Sequence, residues 1–350
     1  MTRCLALLVA LFLAAPLRAG EVLFPAPSGQ AGQEMVVYSS LDARLAEPLI
    51  AAFQATAPDV AVRYHDLLTG EIARRVTEET DAGGATADFV FSSAMDLQVK
   101  LANDGYARAL DIAPAQGWPR WANWRDTAFA LTFEPAVIVY HRPSFPDGPP
   151  DTRLELKEWL DRRGAAARIG TYDIEQSAVG YLYLLRDEEH FPDIWSLVAA
   201  MGRAGMQVFP TSQDIIDRVA DGRLLVGYNI LGSYAADQAR TRPDLGLVLP
   251  RDFTVVVSRV ALVPRAAANP DLGAAFMAFV MGQEGQTILA TKLRLPAVSL
   301  GVGGEGSARA MVAALGEQLR PVAVSPGLLV YLDQAKRRRT LERWDAALGR

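Results

Sequence analysis

The sequence is poor in several residues from which chemical sites are commonly built. Among 350 residues there is one cysteine, Cys4, and there are three histidines. A single cysteine excludes an internal disulfide, a cysteine-rich zinc site and a CxxC redox pair. His65, His141 and His190 stand far apart, without HExxH or any other zinc spacing, and read as surface or boundary residues. Neither a GxSxG nucleophile elbow nor a Walker A loop occurs. No segment after the N-terminal stretch reaches the ~18–20 uninterrupted apolar residues of a membrane-spanning helix. The formal net charge is −5, which argues against a broad basic surface for nucleic acid.

What is present suits a folded chain. Half of the residues are hydrophobic and 21% are charged, as in globular proteins, and the length suggests about two domains. A chain of this size can bury a large core without disulfides. Residues 1–19 are set apart. Arg3 precedes an apolar run from Cys4 to Ala15, Pro16 ends it, and Ala19 offers a small residue for cleavage. This is the pattern of a secretory signal peptide. Its removal takes away Arg3, Arg18 and the only cysteine, leaving a more acidic, cysteine-free exported chain.

After a Pro- and Gly-containing stretch at 20–33, read as a linker, short apolar runs alternate with helical spacing. Strands are expected at 35–38, 60–64, 87–91, 136–140, 168–171, 224–228, 247–249 and 253–263. Helices are expected at 42–55, 69–79, 95–103, 151–163, 177–185 and 269–281. Strand and helix taking turns is the mark of an α/β fold with parallel strands.

Three motifs carry little. Gly301 to Gly306 matches GxGxxG by letter but has no βαβ context, and reads as a loop. Asp187-Glu188-Glu189 reads as a solvated helix end rather than an acid–base pair. Lys336 to Arg339 (KRRR) reads as a charged helix face. More informative are two strand-to-helix junctions, Tyr38-Ser39-Ser40 and Phe91-Ser92-Ser93, with a third hydroxyl-bearing loop from Thr171 to Ser177. Helix starts carry unsatisfied N–H groups and a partial positive charge, and open α/β sheets bind ligands at the C-terminal ends of their strands. Simple N-capping by serine is the competing explanation.

The segments VVYSSLD (36–42), ADFVFSSAMDLQVKLANDGYA (87–107), LTFEPAVIVYH (131–141), IGTYDIEQSAVGYLYL (169–184), LVGYNILGSYA (225–235) and VVVSRVALVPRAAANPDLGAAFMAFV (255–280) succeed one another along the chain. Together they resemble the periplasmic substrate-binding proteins of ABC importers. More narrowly they are similar to the branch that includes binders of ferric iron, aminoethylphosphonate and phosphorylated solutes. The resemblance implies the type 2 two-lobe α/β fold with the ligand cleft between the lobes. It implies a first lobe of residues 34–131 and 259–350, a second of 132–258, and two crossovers, near Phe133-Glu134-Pro135 and Val255 to Arg259.

The same resemblance implies a periplasmic monomer without catalysis or resident cofactor, partnered by an inner-membrane ABC permease and not by nucleic acid. It implies cleft contacts from Ser39, Ser40, Ser92, Ser93, Glu134, Tyr172, Asp173, Ser177, Asn229, Ser233, Tyr234 and Arg259. Arg259 could pair bidentately with a phosphonate, phosphate or carboxylate. Ferric binders of this branch carry two adjacent tyrosines, whereas Gly232-Ser233-Tyr234-Ala235 holds one. That departure favours a small anionic organic solute over Fe3+ as cargo. A ligand-sensing accessory of a two-component kinase and a secreted hydrolase are the competing functions; the second lacks a nucleophile pattern.

Overall fold

The computed structural model describes residues 20–349. The expected signal peptide at 1–19 lies outside them.

The chain opens with strands β1 (Gly20–Phe24) and β2 (Gln33–Ser39), helix α1 (Ala43–Thr56), β3 (Val60–Asp66), α2 (Thr69–Asp81), β4 (Phe89–Ser92) and α3 (Met95–Asn103). Short strands β5 (Asn123–Trp124) and β6 (Ala128–Ala130) lead to the second lobe. That lobe holds β7 (Glu134–His141), α4 (Arg153–Arg163), β8 (Ile169–Tyr172), α5 (Ala178–His190), α6 (Ile194–Arg203) and β9 (Gln207–Phe209). It continues with α7 (Ser212–Ala220), β10 (Val226–Leu231), α8 (Gly232–Ala239), β11 (Leu245–Val248) and β12 (Thr254–Val257). The return comprises β13 (Val260–Leu262), α9 (Pro270–Met281), α10 (Gln283–Thr291), α11 (Ala308–Leu315), β14 (Leu319–Pro321) and α12 (Gln334–Leu348).

Two mixed sheets result. The first runs β1-β3-β2-β4-β13-β6-β5; the second runs β14-β12-β7-β10-β8-β9, with β11 also on β7. Strands β3, β2 and β4 are parallel, as the alternating pattern predicts, while β13 returns antiparallel between β4 and β6. Their apolar runs are covered on both faces, as buried parallel strands require. On one face Phe53 of α1, Phe276 of α9 and Phe89 of β4 pack edge to face; on the other Ile72 and Val76 of α2 meet Val90 and Leu262.

Three expectations need correction. Residues 20–33 are not all linker. Strand β1 pairs antiparallel with the free edge of β3, and Gln54 anchors the following turn by donating to the Phe24 and Pro25 carbonyls. Main-chain pairing holds this strand, so its side chains show no buried-strand pattern. The single β-run expected over 253–263 is two strands in different sheets, broken at Ser258-Arg259. The C-terminal region is not simply part of the first lobe either. Strand β14 pairs with β12 in the second sheet, and α12 packs on α6, burying Trp344 against the second-lobe core. There is also a third chain crossing: Phe133 N–H donates to the Pro296 carbonyl and Val298 N–H to that of Leu131, alongside the two expected segments.

Asp187 departs from its reading as a solvated residue. It is fully buried and accepts from both Arg153 Nη2 (2.7 Å) and Nε (3.2 Å), from the Tyr228 hydroxyl (2.7 Å) and from Asn229 Nδ2 (2.6 Å). Arg153 is completed by Asp252 at 2.9 Å and lies over the Phe253 ring. A charge of this burial is tolerable because each lone pair finds a donor. Gly301 to Gly306 forms a loop, as expected, and Arg338 and Arg339 lie exposed on α12 while Arg337 donates to the Glu175 carbonyl.

Candidate ligand cleft

The two serine junctions are locked to each other. Ser40 N–H donates to the Phe91 carbonyl (3.1 Å), and Ser93 N–H donates to Ser40 Oγ (3.2 Å). Ser39 and Ser92 are buried and serve their own turns, accepting from the N–H groups of Leu41 and Ala94. Ser40 and Ser93 are half-buried at the strand ends, where the first lobe faces the second.

The crossing segments hold a buried charge pair. Glu134, at the start of β7, accepts from Thr132 Oγ1 (2.8 Å) and from Ser233 Oγ of α8. Arg259, between β12 and β13, is fixed at its main chain: its N–H donates to Thr132 Oγ1 (2.7 Å) and its carbonyl accepts from Leu131 N–H (2.9 Å). Its guanidinium reaches both lobes. Nη1 donates to the Ser40 carbonyl at 3.4 Å, and Nη2 donates to the Tyr234 hydroxyl at 3.3 Å. Nε lies 3.3 Å from Glu134 Oε1, yet its N–H points off that line and has no hydrogen-bond partner. Arg259 is 1% exposed. Burial opposes its charge; Glu134 and Tyr234 overcome that opposition and hold it firmly protonated. Long contacts on a buried guanidinium leave it donor capacity for a planar oxyanion.

Tyr172 adjoins this group. Its hydroxyl shares a 2.5 Å hydrogen bond with Ser212 Oγ and accepts from Leu231 N–H, just before α8. Burial pushes this phenol up to about 12. The remaining predicted residues turn elsewhere. Ser177 caps α5 through Gly180 N–H, and Asp173 shapes the same turn by accepting from Glu175 N–H and Gln176 Nε2. Asn229, at φ 58° in a bulge of β10, points into the second-lobe core toward Asp187. The capping explanation thus accounts for Ser177, and the core for Asn229.

Sequence reading missed the third junction of the first lobe. Asp66 ends β3 and is the register partner of Ser39 on the parallel strand beside it. Asp42 follows two residues after Ser40; it is exposed, and its side chain does not cap α1. Burial, and then the proximity of Asp42, push the Asp66 carboxyl above its ordinary range, while Ala43 N–H and Arg259 pull it back. The available signal was a strand followed directly by a helix start, the same signal that picked out Ser39 and Ser92. Thr132 and Ser212 were also missed: Thr132 lies in a crossing segment, and Ser212 opens α7 after β9, a strand–helix pair the sequence pattern did not mark.

A family model described as bacterial extracellular solute-binding protein matches residues 35–292. The chain belongs to the bacterial extracellular solute-binding proteins. Among solved structures, this solute-binding protein is 59% identical to the substrate binding protein of an ABC transporter from Agrobacterium tumefaciens, with TM-score 0.88 over 95% of this chain and 100% of that one. It shares its fold with AfuA of Actinobacillus pleuropneumoniae, solved with fructose-6-phosphate (15% identity, TM-score 0.73, 91% and 99% covered). It shares it also with iron-bound HitA of Pseudomonas aeruginosa (18% identity, TM-score 0.67, 89% and 98% covered). No curated protein matches the chain. As a solute-binding protein it is not an enzyme, and its two-lobe α/β fold is the one the sequence resemblance implies.

Proposed function

We propose that the protein is the periplasmic solute-capturing component of an ABC importer, taking a small organic solute through an anionic group and delivering it as a monomer to an inner-membrane permease. One observation carries the ligand class: Arg259, a buried guanidinium at the chain crossings, touches Ser40 on one lobe and Tyr234 on the other. An oxyanion seated there would be held from both sides, and closure by a hinge would follow from binding. The Agrobacterium protein, described as an ABC-transporter component, supports the transport role.

Ferric iron is the weaker reading. Among the described residues no three His, Cys, Asp or Glu side chains gather to hold a metal. The phenols near the cleft are engaged or buried: Tyr64 donates to the Leu41 carbonyl, and Tyr172 is held at about 12. Hard-cation binding needs phenolates, which burial disfavours.

Native mass spectrometry of the protein as purified tests both readings, followed by calorimetry with phosphonates, phosphosugars, carboxylates and Fe3+. A bound organic anion, or saturable binding of one, is the expected result. A visible phenolate-to-iron band on adding Fe3+, lost in Tyr234→Phe, would replace the proposal with iron transport.

A further inference from the structure

The C-terminal segment is attached to both lobes. The match to the family model ends at residue 292, and this segment lies beyond it. The 3-10 segment Pro326–Leu332 packs against α3, the first-lobe helix that follows Ser92-Ser93. Its buried residues Leu328 and Tyr331 share one apolar cluster with Met95 and Val99 of α3 and with the core of the second lobe. On the second-lobe side, the Tyr331 hydroxyl donates to Glu189 Oε1 at 2.6 Å and accepts from Arg186 Nη1 at 3.3 Å, both on α5. The chain then turns into α12, where the Asp333 side chain caps the first turn by accepting from Lys336 N–H. One helical turn after Asp333, Arg337 Nη2 donates to the Glu175 carbonyl at 3.0 Å, in the turn that follows β8, and its guanidinium lies over the Tyr181 ring. The far end of α12 is pressed onto α6: a side-chain carbon at Gly202 would stand 2.3 Å from the Ala347 carbonyl oxygen.

We propose that this segment is an opening stop: it ties α3 of the first lobe to α5, α6 and the β8–α5 turn of the second, and holds the unliganded lobes near their closed separation. Three chain crossings alone would leave the lobes free to swing about them; a further attachment limits the swing. The link between the two attachments is short. From Asp333 to Arg337 the chain makes one helical turn, at ~1.5 Å per residue, where extended chain would reach ~3.3–3.6 Å. So α3 and the β8–α5 turn can draw apart only by breaking the Tyr331 hydrogen bonds, unwinding the start of α12 or lifting Leu328 and Tyr331 from their apolar seat. Each route gives up charge-assisted hydrogen bonds or buried apolar area. A cleft held near its closed form loses less freedom when a solute binds, whatever that solute is.

Residues 20–350 contain no cysteine, so the exported form takes a spin label only where cysteine is introduced. Labels on Arg74→Cys of α2 and Arg240→Cys after α8, both exposed and one on each lobe, report the lobe separation by double electron–electron resonance. The protein is unfolded, dialysed and refolded to strip any co-purified solute, and none is added. Two released forms are compared with the unaltered strap. Tyr331→Phe with Arg337→Ser removes the polar ties and keeps the apolar seat. A six-residue Gly-Ser insertion between Leu332 and Asp333 keeps every contacting group and adds up to ~20 Å of reach. Thermal transitions establish which forms are folded; if the insertion unfolds the chain, the point variant decides. The expected result is one narrow distance for the unaltered strap, and in the released forms a mean longer by about 5 Å or more, or a distribution about twofold broader. An unchanged or shorter distance of unchanged width in the folded released forms overturns the inference. Solute capture would still stand, because no solute enters the measurement.

Discussion

At the scale of single residues, the buried charges divide into two groups with different work. Arg259 and Glu134 sit where the chain crosses between lobes, and Arg259→Ala removes the anion's partner. It should lower affinity by about 2–4 kcal/mol in calorimetry. It also leaves Glu134 buried without a counter-charge, which should cost about 3–5 kcal/mol of stability in urea unfolding. A double variant, Arg259→Met with Glu134→Gln, should regain much of the stability and none of the affinity. Asp187 behaves otherwise. It ties α5 to α4 and β10 inside one lobe through Arg153, Tyr228 and Asn229. Asp187→Ala strands those donors and should cost about 3–5 kcal/mol, while the folded fraction keeps its ligand affinity. The two substitutions therefore separate binding from structure, and measuring both quantities on both variants checks the division.

At the scale of elements, tight backbone contacts set how the helices seat on the sheets. Helix α9 lies close enough to the segment before β4 that a side-chain carbon at Gly273 would stand 2.0 Å from the Asp88 carbonyl oxygen. Gly273→Ala must push α9 off the sheet and should destabilise the protein by about 1–3 kcal/mol, read from the denaturation midpoint. The same neighbourhood shows what the sequence could reveal. Helix α9 was legible to within one residue, because Asn269-Pro270-Asp271 combines a turn residue with proline at the first helical position. Helix α3 was equally plain. Strand β1 and strand β14 were not, since both are held by main-chain pairing at sheet edges and carry no burial pattern. The cleft was half legible for a related reason. Serines at strand ends announce themselves by type and position, and family resemblance pointed to Arg259. The partner that fixes the Arg259 main chain, Thr132, comes from a segment that only the folded topology brings beside it.

At the scale of the whole molecule, three chain segments side by side join the lobes, and the C-terminal region adds a strap. The 3-10 segment Pro326–Leu332 packs on α3 of the first lobe, and α12 follows it onto α6 of the second. Elsewhere at the surface, Arg294 pairs with Asp237 of α8, joining the first-lobe core region to the second lobe. Both partners are partly exposed, so the pair stabilises the approach of the lobes only modestly. Asp237→Asn should weaken ligand affinity by no more than about 1 kcal/mol, with a faster off-rate and greater effect at low salt. Stopped-flow release of ligand at two ionic strengths checks this; an unchanged off-rate would mean that the pair does not take part in closure.

The placement of β13 has a consequence in time. This strand lies in the middle of the first sheet, between β4 and β6, yet it comes after the whole second lobe in the chain. A polypeptide threaded N-terminus first across a membrane delivers β2, β3 and β4 early and their central neighbour late. Until residues 260–262 arrive, β4 keeps an unpaired edge. Strands β7, β10 and β11 are drawn from one continuous stretch and can pair as soon as it emerges. Non-local pairing is slow, and exposed strand edges invite aggregation. In pulse-labelled hydrogen exchange during refolding, the amides of β7 and β10 should gain protection before those of β4 and β13. The reverse order would show that the first sheet forms before the second despite the late, non-local pairing of β13.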